Sequence, residues 1–282
     1  MRYSATPEGA QPVAVRGVRD GRAFEAIDAV AEETPVALEY NGIAHAVMLA
    51  TPLDLEDFAL GFSLAEGIVG HPGELYGMEQ ERSSQGITLH LDIAGSAFAR
   101  LKDRRRTLAG RTGCGLCGAE SLAQITRALP ALDDSARWSA AAIARAMTSL
   151  YQRQRLHQAT GAVHAAAWCD AQGEVRWLRE DVGRHNALDK LTGALAAGRI
   201  RAAQGFIAVT SRASFEMVQK TAAAGVTLLA AASAPTILAI NAARDARLAL
   251  VGFARGSNLT LYADQARRLD LPITREIPSD AG

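Results

Sequence analysis

The chain has 282 residues, of which 49% are hydrophobic, so it is long and apolar enough to bury a large core in one or two domains. Its 30 lysines and arginines balance 30 aspartates and glutamates. This balance argues against a general nucleic-acid binder or a membrane-surface protein, since both are usually basic. Three cysteines are too few for a disulfide framework and fit a reducing compartment. With no apolar leader at its start and no apolar run of about eighteen residues, the sequence predicts a cytoplasmic protein.

The first part of the chain, residues 1–110, carries the turn signals of two β-hairpins. Apolar residues alternate on both sides of Asp20-Gly21, and they do so again around Asn41-Gly42. A helix is predicted to begin at Pro52 or Asp54, because the apolar residues that follow recur with helical spacing. Residues 87–91 alternate as a further strand. We therefore expect residues 1–110 to form an antiparallel α+β module, the first of two domains.

The second part, residues 111–282, alternates short apolar strands with amphipathic helices. Strands are predicted at residues 162–169, 175–179, 206–209, 226–230, 248–253 and 259–262, and helices at 138–154, 184–197, 215–224 and 235–243. Pro235 is expected at the first position of its helix, which proline favours. Continuous apolar strands between helices are typical of an α/β sheet covered on both faces. The predicted fold class is thus α/β, an N-terminal α+β module followed by an α/β domain with a central sheet.

The clearest signal for chemistry is a C-x-x-C pair formed by Cys114 and Cys117, two of the three cysteines. Glycines at positions 113, 115 and 118 make the segment pliable, and apolar residues at 122, 125 and 129 predict a helix after it. A thiol before a helix N-terminus loses its proton readily, and the thiolate is the nucleophile. Arg111 and the arginines at 104–106 add positive charge nearby in sequence. We predict sulfur chemistry on a bulky anionic partner, with Cys114 as the main nucleophile and Cys117 assisting it.

Three other interpretations of this cysteine pair are open. A structural zinc site needs four ligands, and only Cys169 and six scattered histidines are left to complete one. A thioredoxin-like redox motif normally follows the first strand of a compact βαβ domain, whereas this pair begins at position 114. Two inert buried thiols are the third interpretation, and the flanking glycines and arginines argue against it. The chain is therefore predicted to hold no permanently bound metal.

Polar residues follow three of the predicted strands, at the edge where ligands of α/β sheets bind. They are Ser211 and Arg212, then Ser233 and Thr236, and last Arg255, Gly256, Ser257 and Asn258. Hydroxyls, arginines and helix N-termini together favour a phosphate-bearing ligand. Each turn taken singly is explained as well by helix capping or, for residues 255–258, by an ordinary β-turn.

Residues 179–190 form the densest polar run of the sequence, Arg-Glu-Asp-Val-Gly-Arg-His-Asn-Ala-Leu-Asp-Lys. One interpretation is a solvated helix face with ion pairs four residues apart. The other is a site, because Arg184, His185 and Asn186 crowd one helix start, where His185 would act as an acid–base group or hold a ligand. The same choice applies to His164 on its strand, and Cys169 is expected to be a buried small residue.

Taken together, these segments resemble the formate dehydrogenase accessory sulfurtransferase family, FdhD. The matching segments are residues 111–118, 160–165, 179–190, 211–220, 231–235 and 250–256. They extend over most of the chain and are strongest from Arg111 onward. Several long motifs in order are specific, whereas a lone C-x-x-C is weak.

The resemblance implies a sulfur carrier between a cysteine desulfurase and molybdenum bis(molybdopterin guanine dinucleotide), the cofactor that formate dehydrogenase receives. It also implies a cytidine-deaminase-like fold for the second part, and a homodimer. The zinc-deaminase signature H-x-E is absent, since two alanines follow His164, so deamination and zinc do not follow. The guanine ends of the cofactor are expected at the strand-end turns. We assign to them Ser211, Arg212, Phe253, Ala254, Arg255, Gly256, Ser257 and Asn258, together with His185.

A second functional interpretation is a cofactor chaperone that binds the guanine dinucleotide and docks to the dehydrogenase without carrying sulfur. The cysteines would then only contact the ligand or gate its access. A cysteine variant that loses sulfur transfer but keeps nucleotide binding distinguishes the two functions.

Overall fold

The structure of the chain is a computed structural model that describes residues 6–109, 132 and 136–271, with residues 104–109 described in their backbone alone. The C-x-x-C pair and the helix predicted at 119–129 lie outside these residues. The predicted domain boundary between 110 and 111 lies outside them too and stays a prediction. Within the described ranges, no helix is long and apolar enough to cross a membrane.

The N-terminal part is built from hairpins and two helices. Its strands are β1 (Ala10–Arg19), β2 (Arg22–Ala31), β3 (Thr34–Tyr40), β4 (Ile43–Ala50), β5 (Leu75–Ser83) and β6 (Gly86–Ile93), and its helices are α1 (Leu55–Ala65) and α2 (Gly95–Ala109). Both predicted hairpins are confirmed. Asp20 and Gly21 have φ angles of 53° and 75°, and Asn41 and Gly42 have 46° and 79°, the left-handed conformations that two-residue hairpin turns require.

The N-terminal sheet, strands β3 to β6, has the strand order β4-β3-β6-β5. Its outer pairs are antiparallel, but β3 and β6 run parallel, so the prediction of an antiparallel module is wrong at the centre of the sheet. The reason is that α1 separates two hairpins, and the second hairpin lies beside the first with β6 against β3. α1 buries Leu55, Phe58 and Phe62 against the strands, which is the face that their spacing predicted.

The C-terminal part alternates strands and helices. Its strands are β7 (Trp138–Ser139), β8 (His164–Asp170), β9 (Val175–Asp181), β10 (Gly205–Val209), β11 (Leu228–Ala231), β12 (Ala249–Arg255), β13 (Asn258–Ala263) and β14 (Leu269–Asp270). Its helices are α3 (Ala140–Arg153), α4 (Arg155–Thr160), α5 (Arg184–Ala197), α6 (Phe215–Ala223) and α7 (Ile237–Asp245).

The central sheet has the strand order β13-β12-β11-β10-β8-β9. β10, β11 and β12 run parallel, and antiparallel strands extend the sheet on both sides. Helices α5, α6 and α7 pack on one face and α3 on the other. Alternate residues of β8 therefore enter different cores, Ala166 and Trp168 on the first face and Ala165 and Ala167 on the second. The prediction of an α/β sheet covered on both faces is confirmed.

α1 and α5 connect the two larger sheets at a close helix crossing. A Cβ atom placed on Gly61 would lie 1.8 Å from the carbonyl oxygen of Asp189, and one on Gly193 would lie 1.9 Å from that of Asp57. Only glycine lets two backbones approach so closely. Beside the crossing, Arg179 donates to an Asp57 carboxylate oxygen at 2.7 and 2.8 Å. Backbone contact and an ion pair thus fix how the N-terminal sheet sits on the central sheet.

The structure agrees with the predicted start of one helix, α1, and contradicts the predicted start of another, α7. α1 follows Asp54, one of the two predicted starts, although this side chain makes no capping bond and has a φ of 51°. Pro235 lies outside α7, so its placement at the first helical position is wrong. The N-cap of α7 is Thr236, whose side chain accepts from Ala239 N at 3.2 Å. Pro235 instead forms a β-bridge with Ala213, which draws it into the loop region beyond the sheet.

Candidate functional site

The loops after β10, β11 and β12 form one continuous surface beyond the central sheet. We call these loops, together with the last residues of β12 and the first residue of β13, the sheet edge; it comprises residues 210–214, 232–236 and 253–258. Backbone hydrogen bonds connect the first loop to the second and the second to the third, from Thr236 N to Ala213 O at 3.1 Å and from Phe253 N to Ser233 O at 3.3 Å. The structure therefore brings together the three polar turns that the sequence placed at one edge.

Arg255 and Asn258 face each other across a two-residue turn, Gly256-Ser257, which joins β12 to β13. The ordinary β-turn is thus the local structure here, with a φ of 57° at Gly256. All four residues are exposed, so ligand binding by the same turn stays a prediction. Arg255 Nε donates to the carbonyl oxygen of Ala232 at 2.9 Å, and this bond holds the guanidinium against the second loop.

The other predicted ligand residues of the sheet edge differ in exposure. Phe253 is 47% exposed and has a φ of 50°, whereas Ala254 is buried. Ser211 is buried as well, and its hydroxyl donates to the carbonyl oxygen of Arg212 at 3.0 Å. Arg212 is exposed. Of these four residues, Phe253 and Arg212 present side chains that a ligand can reach.

His185 connects the start of α5 to the first loop of the sheet edge. Its Nε2 lies 3.3 Å from the hydroxyl oxygen of Ser214, and its Nδ1 lies 2.9 Å from a carboxylate oxygen of Glu216. The hydrogen bond from His185 is the largest influence on the pKa of the Glu216 carboxyl, and it lowers that pKa. Glu216 is therefore ionised near neutral pH and accepts the Nδ1 proton, which leaves Nε2 for Ser214.

Two further basic residues, Arg184 and His164, lie at the start of α5 and on β8. The Nε of Arg184 is buried and has no hydrogen-bond partner within the described part of the chain. Burial, followed by the positive charge of Arg184, lowers the pKa of His164. This ring is therefore neutral near pH 7. No hydrogen bond found in the described ranges joins His164 to His185.

Much of the polar run at 179–190 is buried, so the first of its two interpretations, a solvated helix face, is wrong for this part of it. We call Thr51, Asp181, Asn186 and Lys190 the Asp181 network. Asp181 and Lys190 are 0% exposed and Asn186 is 3% exposed, because the loop between β4 and α1 covers them. Lys190 Nζ lies 2.7 Å from Asp181 Oδ2 and donates to the carbonyl oxygen of Thr51 at 2.8 Å. Thr51 N donates to Asp181 Oδ2 at 3.0 Å.

Cys114 and Cys117 lie outside the described residues, and their assignment as the reactive pair stays a prediction. Cys169 on β8 is 0% exposed, as expected, and burial raises the pKa of its thiol. In the ranges that the structure describes, no cluster of histidine, cysteine and carboxylate side chains has the arrangement of a metal site.

Two contacts of the candidate site have no signal in the local sequence. Glu216 lies in the first turn of α6, where an acidic residue is ordinary, and nothing near it in sequence points to His185. Thr51 lies 130 residues before its partner Asp181. Only the packing of α5 between α6 and the N-terminal sheet brings these pairs together.

Comparison with known proteins identifies the family of this chain. A model of the FdhD/NarQ family matches residues 31–269, which is most of the chain. The chain belongs to the FdhD/NarQ family. The resemblance found in the sequence is thereby confirmed.

Several relatives match nearly end to end. The sulfur carrier protein FdhD of Variovorax paradoxus is 62% identical over 266 residues, which cover 94% of this chain and 96% of that protein. The proteins of the same name from Bordetella petrii and Cupriavidus necator are both 54% identical, and the matches cover 90% and 93% of this chain and 91% of each relative. A crystal structure described as a formate dehydrogenase accessory protein of Desulfotalea psychrophila is 23% identical in sequence and shares the fold, with a TM-score of 0.71. The match covers 92% of this chain and 98% of that one.

Proposed function

We propose that this chain is a sulfur carrier that serves the maturation of formate dehydrogenase. The observation that carries the proposal is 62% identity over 94% of the chain to a protein named sulfur carrier protein FdhD. The C-x-x-C pair, Cys114 and Cys117, supplies the nucleophilic thiols that a persulfide relay needs. The chain acts as a sulfurtransferase, with Cys114 as the main persulfide carrier and Cys117 assisting.

The sulfur donor in this proposal is a cysteine desulfurase, and the sulfur acceptor is molybdenum bis(molybdopterin guanine dinucleotide). The dehydrogenase receives the cofactor after it has been sulfurated. The chain works in the cytoplasm as a homodimer and holds no resident metal. We also assign residues 1–110 and 111–282 to two domains, the second with a cytidine-deaminase-like fold.

The sheet edge is the proposed binding surface for the guanine nucleotide ends of the cofactor. Arg212 and Arg255 are exposed there, and arginine pairs bidentately with phosphate or with a guanine edge. The buried Nε of Arg184, which has no partner within the described residues, favours an anionic ligand close to the start of α5. The assigned contacts are Ser211, Arg212, Phe253, Ala254, Arg255, Gly256, Ser257, Asn258 and His185.

The test of the function is the intact mass of the protein after incubation with a cysteine desulfurase and cysteine. We expect one added sulfur atom on the wild type and on the control Cys169→Ala, and none on Cys114→Ala, because the thiolate is the group that accepts sulfur. If Cys114→Ala acquires and passes on labelled sulfur at the normal rate, the carrier is another residue. If neither the wild type nor any variant gains sulfur, but the wild type still binds guanosine diphosphate, the protein is a cofactor chaperone instead.

A further inference from the structure

The first two strands, β1 and β2, form a hairpin that pairs with no other strand in the described part of the chain. We call this hairpin, residues 10–31, the arm. It is anchored at its base, where Glu32 N donates to the carbonyl oxygen of Gly9 at 2.8 Å, and β2 contacts α4. A two-stranded hairpin alone is marginally stable in water and needs a further surface to pack against. We therefore expect another surface to cover the arm.

One face of the arm is largely apolar and exposed. Residues directly opposite each other in an antiparallel pair share a face, and residues along each strand alternate between faces. The residues of this face, which we call the apolar face, are Pro12, Ala14, Arg16 and Val18 on β1 and Ala23, Glu25, Ile27 and Ala29 on β2. All of them except Ala29 are exposed, Val18 to 73% and Ile27 to 59%. Apolar side chains gathered in this way are typical of a contact surface.

The opposite face of the arm is partly closed by its own side chains. The Phe24 ring lies against Gly17, where an added Cβ atom would be 2.6 Å from a ring atom. The guanidinium carbon of Arg19 lies 5.0 Å from the centre of the same ring. Arg22 and Asp28 are exposed and add further charge to this face. Of the two faces, the apolar one is thus the better suited to contact another protein surface.

The apolar face is complementary to itself. Its directly opposed residues differ in size or charge, and these pairs are Pro12 with Ala29, Ala14 with Ile27, Arg16 with Glu25, and Val18 with Ala23. Two such faces can stack about 10 Å apart around a two-fold axis parallel to the strands. This axis places each β1 residue of one copy over the β2 residue that it opposes, in the second copy. Larger side chains then pack on smaller ones, and Arg16 faces Glu25 of the second copy.

We infer that the apolar face of the arm is the surface at which two copies of this chain associate, around a two-fold axis parallel to β1 and β2. The burial of Val18 and Ile27 supplies the attraction. The two charge contacts set the orientation, because an axis perpendicular to the strands through this pair would place Arg16 over Arg16. The inference rests on the homodimer of the proposed function and names its surface, whereas sulfur transfer does not depend on it.

The size of the arm limits the strength of this association. Each strand has 10 residues, so the face is about 33 Å long and about 10 Å wide. This gives roughly 330 Å² for each copy, less than half of the about 800 Å² per partner in a standard interface. We therefore expect a weak dimer that dissociates on dilution. In the monomer, Arg16 lies 3.0 Å from Glu25 of its own chain, and both side chains are exposed.

Sedimentation equilibrium of the full chain over a range of concentrations measures the dissociation constant of the dimer. Arg16→Glu and Glu25→Arg each place like charges opposite each other at both symmetric contacts. We expect each variant alone to raise the dissociation constant about tenfold or more. The matched control is Arg22→Glu, which makes the same charge change on the opposite face of the arm and should leave the dissociation constant unchanged. All three side chains are exposed, so circular dichroism should show the native fold.

An equimolar mixture of Arg16→Glu and Glu25→Arg separates contacts between copies from the contact within each arm. In the mixed dimer the new glutamate of one copy faces the new arginine of the other, and the remaining Glu25 faces the remaining Arg16. Within each copy the like charges persist. We therefore expect the mixture to associate about as tightly as the wild type, which only contacts between copies can bring about.

Three results would overturn the inference while leaving the homodimer in place: wild-type affinity in Arg16→Glu, a mixture no tighter than either variant alone, or an equal loss in Arg22→Glu. Each would move the interface away from the apolar face. A wild type that stays monomeric at every concentration overturns the inference and the homodimer together. The intact-mass test of sulfur loading then still decides the sulfur-carrier function by itself.

Discussion

At the scale of single residues, the sheet edge depends on side chains that the backbone holds in place. Arg255 has one guanidinium donor bound to the carbonyl oxygen of Ala232, and the turn that follows it is exposed. Fixing a guanidinium in this way reduces the side-chain entropy that is lost when an anion binds. Arg255 is therefore the residue of the sheet edge whose removal tests nucleotide binding most directly.

We expect Arg255→Ala to weaken the binding of guanosine diphosphate about ten- to a hundredfold, which corresponds to about 1.5–3 kcal/mol for a charge-assisted contact. Titration calorimetry measures this change. Arg176→Ala is the control. Arg176 pairs with Asp170 at 2.7 Å near the start of β9, away from the sheet edge, so this variant should bind guanosine diphosphate with unchanged affinity. Unchanged affinity in a folded Arg255→Ala protein would move the nucleotide site elsewhere.

Cys169 should be inert toward alkylation in the native protein. It is fully buried on β8, and burial raises the pKa of its thiol, so little thiolate forms. In a Cys114→Ser/Cys117→Ser background, iodoacetamide is expected to label Cys169 only after the protein is denatured. Mass spectrometry of native and denatured samples checks this. Rapid labelling of the native protein would contradict the burial of Cys169.

At the scale of elements, the crossing of α1 and α5 determines how the two larger sheets meet. Gly61 and Gly193 place each helix backbone against the other, and no side chain separates them. Helices normally pack with axes 8–10 Å apart because side chains intervene, and glycine is the residue that allows a closer approach. Methyl groups at this crossing would force the helices apart along their length.

Gly193→Ala and Gly61→Ala are each expected to lower the free energy of unfolding by about 1–3 kcal/mol or more, since the added Cβ meets backbone atoms that cannot move aside. Urea denaturation followed by circular dichroism measures the loss. The control is Gly95→Ala at the start of α2, where a Cβ meets nothing within 4 Å. Equal stability of Gly193→Ala and Gly95→Ala would show that the crossing is looser than the structure has it.

At the scale of the whole molecule, the Asp181 network connects the loop between β4 and α1 to the turn that precedes α5. Val182 N donates to Thr51 Oγ1 at 3.1 Å, and Asn186 Nδ2 donates to the carbonyl oxygen of Leu49 at 2.7 Å. The same turn leads directly to His185. Both larger sheets thus contribute to the position of the start of α5.

We expect Lys190→Met to lower the free energy of unfolding by about 3–5 kcal/mol, because it leaves the buried carboxylate of Asp181 without its cation. The double variant Asp181→Asn/Lys190→Met should recover part of the loss, which a double-mutant cycle in urea measures. Arg16→Met serves as the control, since Arg16 and Glu25 form a pair with side chains 86% and 75% exposed. A loss no larger than that of the control would show that the pair does not hold the two sheets together.

Much of the fold follows from local patterns of the sequence. The turns at Asp20-Gly21 and Asn41-Gly42 were predictable because φ angles above zero depend on the turn residues themselves. Helices α5 and α6 were predictable because their apolar residues recur with helical spacing, although in α5 the residues from Asn186 to Leu195 are all buried. The gathering of the strand-end loops also follows from sequence, since parallel strands bring their carboxyl ends to one edge.

What the sequence by itself determined is therefore most of the larger elements, the family and the three polar turns of the sheet edge, whereas β5 and α4 were not predicted. The tertiary structure alone decided the parallel pairing of β3 with β6, the burial of Asp181 with Lys190, and the contact of His185 with Glu216. The physical reason is the same in each case. These contacts join residues far apart in the chain or on different elements, and their energies depend on distance and burial after packing, which no local spacing encodes.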